Sequence, residues 1–397
     1  MSYQRRPSPY RPGTGLEPPY LGDREAQLER FRDFLEDPTN PRNLVVTGLR
    51  GVGKTVLLNH YSTIAESSGW LVVEREFNEP DGEPRTFART LLDDLAGLTR
   101  RLSRSRRLGS AATALAESVM SFLGNLSVTY GEVSVGVQPR SLHTESSGRL
   151  DDDLREALIR IGALCERTEH HGFVVRYDEF HVIRERKGAL TLSGLLAAVS
   201  GAQQRGVPVM LVLCGLSPLL ENLARSKSYS ERMFTIEQLG NLRPPEDRAA
   251  LVDPATRAGR RIEEEAVEAV LEDTSGYPFF IQAYGDALWT GSRGEVITAA
   301  DLRRLRPAIL AGLDRGFFEA RYLRASRHER TLLRQLAEHG ESATAEQLQA
   351  LSGLRNNQLQ PLLSSLVAKG LVFRPSRGIV AFTAPLFGSF LRRRPKD

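Results

Sequence analysis

The stretch Asn43-Leu-Val-Val-Thr-Gly48-Leu-Arg-Gly51-Val-Gly53-Lys54-Thr55 limits what this chain can fold into more than any other. It reads as a short apolar strand, a glycine-rich turn and a helix beginning near Lys54, and it fits G-x-x-x-x-G-K-[ST] at every fixed position. Glycines let successive backbone N–H groups point inward with no Cβ in the way. That nest and the positive end of the following helix attract a polyanion. The cradle spans Gly48, Leu49, Arg50, Gly51, Val52 and Gly53 and runs on through Lys54, Thr55 and Val56. Lys54 is placed to reach the β- and γ-phosphates of a nucleoside triphosphate, and the Thr55 hydroxyl to ligate Mg²⁺. A glycine-rich connection with a chance Lys-Thr is the bland alternative. The order strand, turn, helix argues against it, but says nothing of what the nucleotide's energy is used for.

At 397 residues, 41% hydrophobic and 26% charged, the chain has room for two or three domains with sizeable cores. No apolar run approaches the roughly 18 residues that span a bilayer, and residues 1–20 are rich in Pro, Arg and Tyr rather than built as a signal segment. The expectation is a cytoplasmic protein without a membrane partner. Cys165 and Cys214 have no metal-ligand spacing and read as core filling. Net charge is +4, yet residues 301–397 hold 17 Lys/Arg against 8 Asp/Glu, so the rest of the chain is slightly acidic. A basic end on a near-neutral body points to a polyanionic partner or to a solvated basic surface.

Residues 1–19, with five prolines and Arg5, Arg6 and Arg11, read as a flexible or extended arm. Helical spacing of Leu28, Phe31, Phe34 and Leu35 predicts a helix after Tyr20-Leu-Gly22-Asp23-Arg24-Glu25. Beyond the phosphate loop, Trp70–Phe77 reads as a second strand. Pro84 to about Leu123 reads as helix and contains the cluster Arg100, Arg101, Arg104, Arg106 and Arg107. The alternation from Leu126 to Val137 around a Gly-Glu predicts a hairpin. Together these make an insertion at about 84–147 in a core covering 20–243. Gly172-Phe-Val-Val-Arg-Tyr-Asp178-Glu179 is an apolar strand ending in two carboxylates. Asp178 is suited to the Mg²⁺ shell, and Glu179 to polarising the attacking water as general base.

Taken in order, these motifs resemble the AAA+ ATPases related to origin-recognition initiators and the signal-transduction ATPases with numerous domains. The resemblance implies a three-layer α/β core with a parallel sheet of P-loop NTPase type. It also implies an adenine-holding box at Gly22-Asp23-Arg24-Glu25, with one residue inserted, for which Gly22 is the candidate contact. Ser217, after the buried strand Val207–Ser217, matches the polar residue that senses the γ-phosphate. A helix N-cap is the alternative. Arg232 matches an arginine offered to a neighbouring subunit's nucleotide, with a surface ion pair as the alternative. From Pro244 the composition turns helical, and 244–325 resembles the family's lid. Its Ser275-Gly-Tyr-Pro278 implies packing of Pro278 on the nucleotide base. An arginine at the start of that helix, common in such lids, is absent from this sequence.

Residues 326–397 read as three helices, Ser326–His339, Ala343–Leu351 and Arg355–Lys369, followed by two strands around Pro-Ser-Arg-Gly. This order looks like a winged helix-turn-helix. Arg355, Asn356, Asn357 and Gln358 then crowd the recognition end, and Arg374 and Arg377 occupy the wing. Arg392, Arg393, Arg394 and Lys396 are available for phosphates. The combined expectation is an ATP/ADP- and Mg²⁺-dependent ATPase switch that couples nucleotide state to double-stranded DNA, with homo-oligomers in the ATP state. The alternative is a signalling or defence switch whose winged helix contacts a protein or its own core, with slow or negligible hydrolysis.

Overall fold

The computed structural model describes residues 7–13, 15–104, 109–131, 149–185, 192–376 and 378–395. The chain divides into two compact units, one of residues 26–47 and 57–238, the other of residues 1–25, 48–56 and 239–397.

The sheet unit is assembled from α1 (Glu25–Glu36), β1 (Asn43–Gly48), α2 (Lys54–Ser67), β2 (Trp70–Glu76), α3 (Pro84–Ser103), α4 (Ser110–Gly131), α5 (Leu150–Arg167), β3 (Gly172–Asp178), α6 (Leu192–Gln203), β4 (Val209–Gly215), α7 (Pro218–Ser226), α8 (Ser230–Met233) and β5 (Phe234–Leu239). The sheet order is β2-β3-β4-β1-β5, with parallel pairing of β1 with β4, β2 with β3 and β3 with β4. Every residue of β1, β3 and β4 is buried. Unbroken apolar runs are what strands covered on both faces require, so these three form the middle of the sheet. Parallel pairing brings the carboxyl ends of β1, β3 and β4, marked by Thr47, Asp178 and Gly215, to one edge, where open α/β sheets bind their ligands.

The segment expected to be a hairpin is in part helix. α4 continues through Gly131, and the rest of the alternating stretch lies outside the described residues. Ala112, Ala116, Val119, Leu123 and Leu126 recur at spacings of three and four and are buried in the core with α3 and α5. Burial of that stripe overrides the local two-residue alternation. Cys165 and Cys214 are buried, as expected of core filling, and burial pushes the Cys165 thiol up to about 12.

The second unit carries α9 (Glu246–Arg257), β6 (Arg261–Ile262), α10 (Glu264–Thr274), α11 (Pro278–Gly291), β7 (Val296–Ile297) and α12 (Ala299–Leu313). A π-helical turn at Asp314–Phe318 leads into α13 (Glu319–Tyr322). After it come α14 (Arg327–His339), β8 (Ser342–Thr344), α15 (Ala345–Ser352), α16 (Asn356–Ala368), β9 (Val372–Phe373), β10 (Ile379–Phe382) and α17 (Phe387–Arg393). Reciprocal capping boxes at Thr298/Asp301, Ser326/Glu329 and Thr344/Gln347 fix where α12, α14 and α15 begin. β10 pairs antiparallel with both β8 and β9.

One aromatic column runs through this unit. Tyr277 meets Phe280 (ring centroids 4.7 Å), Phe280 meets Phe318 (5.7 Å), Phe318 stacks on Phe387 and Phe390 (5.4 Å each), and Phe387 meets Phe382 of β10 (5.3 Å). The amino-terminal arm is anchored here rather than loose throughout. Tyr10 is buried and its hydroxyl donates to the Leu251 carbonyl, while the Arg11 amide donates to Gln282 Oε1 at 3.1 Å.

Three of the C-terminal arginines read from sequence as phosphate contacts are engaged within the unit. Arg392 pairs with Glu341 (3.1 Å), Arg393 with Asp314 (2.7 Å) and Arg394 with Glu319. The last two pairs tie the carboxyl end of α17 to the π-turn and α13, and the first ties it to the α14–β8 turn. Lys396 and Arg377 lie outside the described residues.

Candidate functional site

The phosphate loop belongs to the second unit. Gly51 and Gly53 adopt φ +83° and +89°, the left-handed region that favours glycine. A Cβ on Gly51 would lie 2.4 Å from the Tyr277 hydroxyl, whereas one on Gly53 would meet nothing within 4 Å, so the cradle is open there. Lys54 is buried, and its ammonium donates to the carbonyls of Gly48 (3.2 Å) and Leu49 (2.8 Å). An ammonium held against its own loop, beside an open turn of left-handed glycines, fits a triphosphate, whose oxygens can take those donors over.

Two side chains hold this loop, Arg24 and Tyr277, each within a motif named above but assigned no role there. Arg24 is buried and donates through Nη2 to the Val52 carbonyl (3.1 Å) and to the Gly240 carbonyl (3.4 Å). Within the Gly22–Glu25 box, Arg24 is the residue that reaches the loop, while Gly22 lies against Tyr20 and Glu246. The Glu246 carboxylate accepts from the Tyr20 hydroxyl (2.7 Å) and from the Asp23 amide (3.2 Å), which fixes the box's turn. Tyr277, from the Ser275–Pro278 element, donates its hydroxyl to the Arg50 carbonyl. Pro278 opens α11 beside it. Arg321 stacks its guanidinium 3.6 Å from the Phe317 ring centre and also feels Tyr277 and Arg50. Burial pulls the Arg321 guanidinium below its ordinary value, Tyr277 opposes that shift, and repulsion from Arg50 adds to it. The only trace of this cluster in the sequence was the aromatic inside the Gly-x-Pro element.

In the sheet unit, Asp178 ends β3, buried, with its Oδ1 accepting from the Glu179 amide at 2.7 Å. Glu179 sits at φ +51°, an uncommon conformation for a non-glycine residue and of a kind concentrated at functional sites. Its carboxylate lies 3.4 Å from Nδ1 of the buried His181. His181 lies two residues beyond the Asp178-Glu179 pair. Its position is set by Gly215, where a Cβ would come within 3.2 Å of the imidazole, and by Asn222, which donates to the His181 carbonyl at 3.2 Å. Ser217 is exposed at the first turn of α7 and makes no side-chain capping bond there. Arg232 is exposed at the end of α8, just before β5, and makes no ion pair among the described residues.

Of the C-terminal candidates, Arg355, Asn356, Asn357 and Gln358 are exposed at the start of α16. Gln358 Oε1 accepts from the Arg355 amide at 3.1 Å as a cap. Gln360 joins Asn356 to Arg374 at 3.0 Å each, linking α16 to the β9–β10 turn.

Residues 22–212 match a family described as AAA ATPase domain, and residues 315–391 match a domain of unknown function (DUF8462). No curated protein matches the chain. Among solved structures, the chain resembles a Walker-type ATPase of Pyrococcus abyssi at TM-score 0.59 and 18% identity, covering 99% of this chain and 100% of that one. It also aligns with the ORC1 protein of Aeropyrum pernix in complex with DNA (TM-score 0.43, 18% identity, 95% and 94% covered). The third is Cdc6p of Pyrobaculum aerophilum (TM-score 0.43, 13% identity, 96% and 96% covered).

Proposed function

We propose that this chain, whose residues 22–212 match the AAA ATPase domain and whose sheet has the P-loop NTPase fold, is an ATP-hydrolysing switch that acts on duplex DNA through a C-terminal winged helix. The observation that carries the ATPase reading is the loop itself: left-handed Gly51 and Gly53 beside the buried, inward-turned Lys54. Lys54 and the loop amides bind the phosphates, and Thr55 and Asp178 are the residues that would hold Mg²⁺. Bound there, it would neutralise phosphate charge. Glu179 draws the proton from the attacking water, and His181 fixes the carboxylate's orientation. Ser217 is the γ-phosphate-sensing candidate.

The element order α14–β8–α15–α16–β9–β10, with its three-stranded antiparallel sheet, supports the winged-helix reading. Arg355, Asn356 and Asn357 at the exposed start of α16 are residue types that read base edges, and Arg374 lies on the wing. A second reading, a module that docks on protein, draws support from the ion pairs that already occupy Arg392, Arg393 and Arg394.

A mobility shift with duplex DNA over a salt series, with ATP, ADP or no nucleotide, separates the two. Nucleotide-dependent, salt-sensitive shifts lost on Arg355→Ala/Asn357→Ala support DNA, and no shift at low salt in any nucleotide state leaves the protein-docking switch.

A further inference from the structure

A groove of about 980 Å³ lies within the sheet unit, at the amino-terminal edge of the strands. Arg42, Arg155, Arg205 and Arg232 line it together with Tyr229 and Gln204, and among the described residues no Asp or Glu does. Its floor is rigid. Asn43 at the start of β1 accepts from the Leu211 amide (2.8 Å) and from Gln203 Nε2 (3.0 Å), and Gln203 donates to the Val209 carbonyl at the start of β4 (2.8 Å). The strands are six and seven residues long, so at about 3.3 Å per residue the groove lies roughly 20 Å across the sheet from Asp178. It is therefore a separate site from the hydrolytic carboxylates.

The charge in this groove is available. Arg205 covers the Gly201 carbonyl (2.9 Å), so the exposed carbonyl end of α6 is masked by a guanidinium. Arg42 lies over the Phe34 ring (5.2 Å), and among the described residues only Arg155 of the four has a carboxylate partner, Asp152 at 2.8 Å. Guanidinium groups spaced along an open groove, with one tyrosine ring and side-chain amides between them, suit a chain of phosphates carrying stackable bases. We propose that this groove binds the phosphate backbone of a nucleic-acid strand, as a contact additional to and independent of the C-terminal module.

The test is fluorescence anisotropy of a labelled single-stranded oligonucleotide with the full chain over a salt series. Arg42→Gln/Arg205→Gln should lower the salt slope by about 1.4, two contacts at about 0.7 each, and weaken binding on the order of tenfold or more near 0.1 M salt. Arg205→Lys alone, which keeps the charge, should retain the parent slope, and unchanged melting of each variant shows that the fold is intact. Arg355→Ala/Asn357→Ala, tested alongside, leaves this groove's share of the slope in place if the two contacts are independent. Parent-like slope and affinity in the double glutamine variant overturn the proposal, whatever the C-terminal variant does. If only tripolyphosphate, tested by thermal shift, distinguishes parent from variant, the ligand is a small polyphosphate and the strand assignment fails.

Discussion

The Tyr277 hydroxyl donates to the carbonyl of Arg50, so the residue that precedes α11 also holds the apex of the phosphate loop. Tyr277→Phe keeps the buried ring and removes this one bond. A neutral hydrogen bond contributes about 1 kcal/mol, so ATP affinity should fall about fivefold and melting should move down modestly. Isothermal titration and a thermal scan measure both. Gly51→Ala should be far worse, because it forces a Cβ into the 2.4 Å gap to that hydroxyl at a φ of +83°. Nucleotide binding at parental strength in the alanine variant would show that the loop does not carry the ligand.

Glu179 combines a left-handed backbone with the carboxylate assigned to water activation. Glu179→Gln should cut phosphate release by about 10² to 10⁴ while ATP still binds. Glu179→Gly should be equally inactive yet no less stable, since glycine relieves a left-handed conformation that costs a non-glycine residue roughly 1–2 kcal/mol. Phosphate release at the parental rate from either variant would remove Glu179 from the mechanism.

Much of this arrangement was legible from residues alone. The phosphate loop and the Asp178-Glu179 pair are local signals, a backbone pattern and a strand end, and both stand on the elements expected. Helices α14 to α16 were also readable, two of them beginning at capping boxes, whereas α12 and α13 were not read. What escaped were partnerships between residues far apart in the chain. Arg24 meets Val52 and Gly240, Tyr277 meets Arg50, and Arg393 meets Asp314 across intervals that no local spacing encodes. Strand β8 has three residues, too few for alternation to show, and the start of the Leu126 alternation was absorbed by a longer helical stripe.

Glu329 and Lys369 join α14 to α16 at 2.6 Å. Burial works to raise the Glu329 carboxyl, but the bonds from Lys369, Ser365 and the Ser326 amide outweigh it and leave the pKa below its ordinary value. A depressed folded-state pKa contributes stability that is present above the unfolded value of about 4.3 and is lost as pH falls through the folded value. Glu329→Gln should therefore lower the melting temperature at neutral pH, by roughly 1–2 kcal/mol in stability, and flatten the acid limb of the stability curve. Equal acid limbs in parent and variant would remove this pair as the cause.

Phe318 belongs to the π-turn and touches Phe280 on one side and Phe387 and Phe390 on the other. Phe318→Ala should cost about 3–5 kcal/mol, as a buried phenylalanine does. It should also broaden or split the thermal transition of this unit, because the ring bridges its two halves. A single sharp transition at the parental temperature would count against the column as a shared core.

That column also governs where the protein can be cut. The loop between α13 and α14 looks from sequence like a seam at which to remove residues 326–397 or exchange them as a cassette. Severing the chain there would leave one face of Phe318 without its two stacking partners and Asp314 and Glu319 without their arginines. The last seventy-odd residues are thus a graft that has grown into its host, and a transplanted substitute would have to bring its own pair of stacked rings and its own arginines to take.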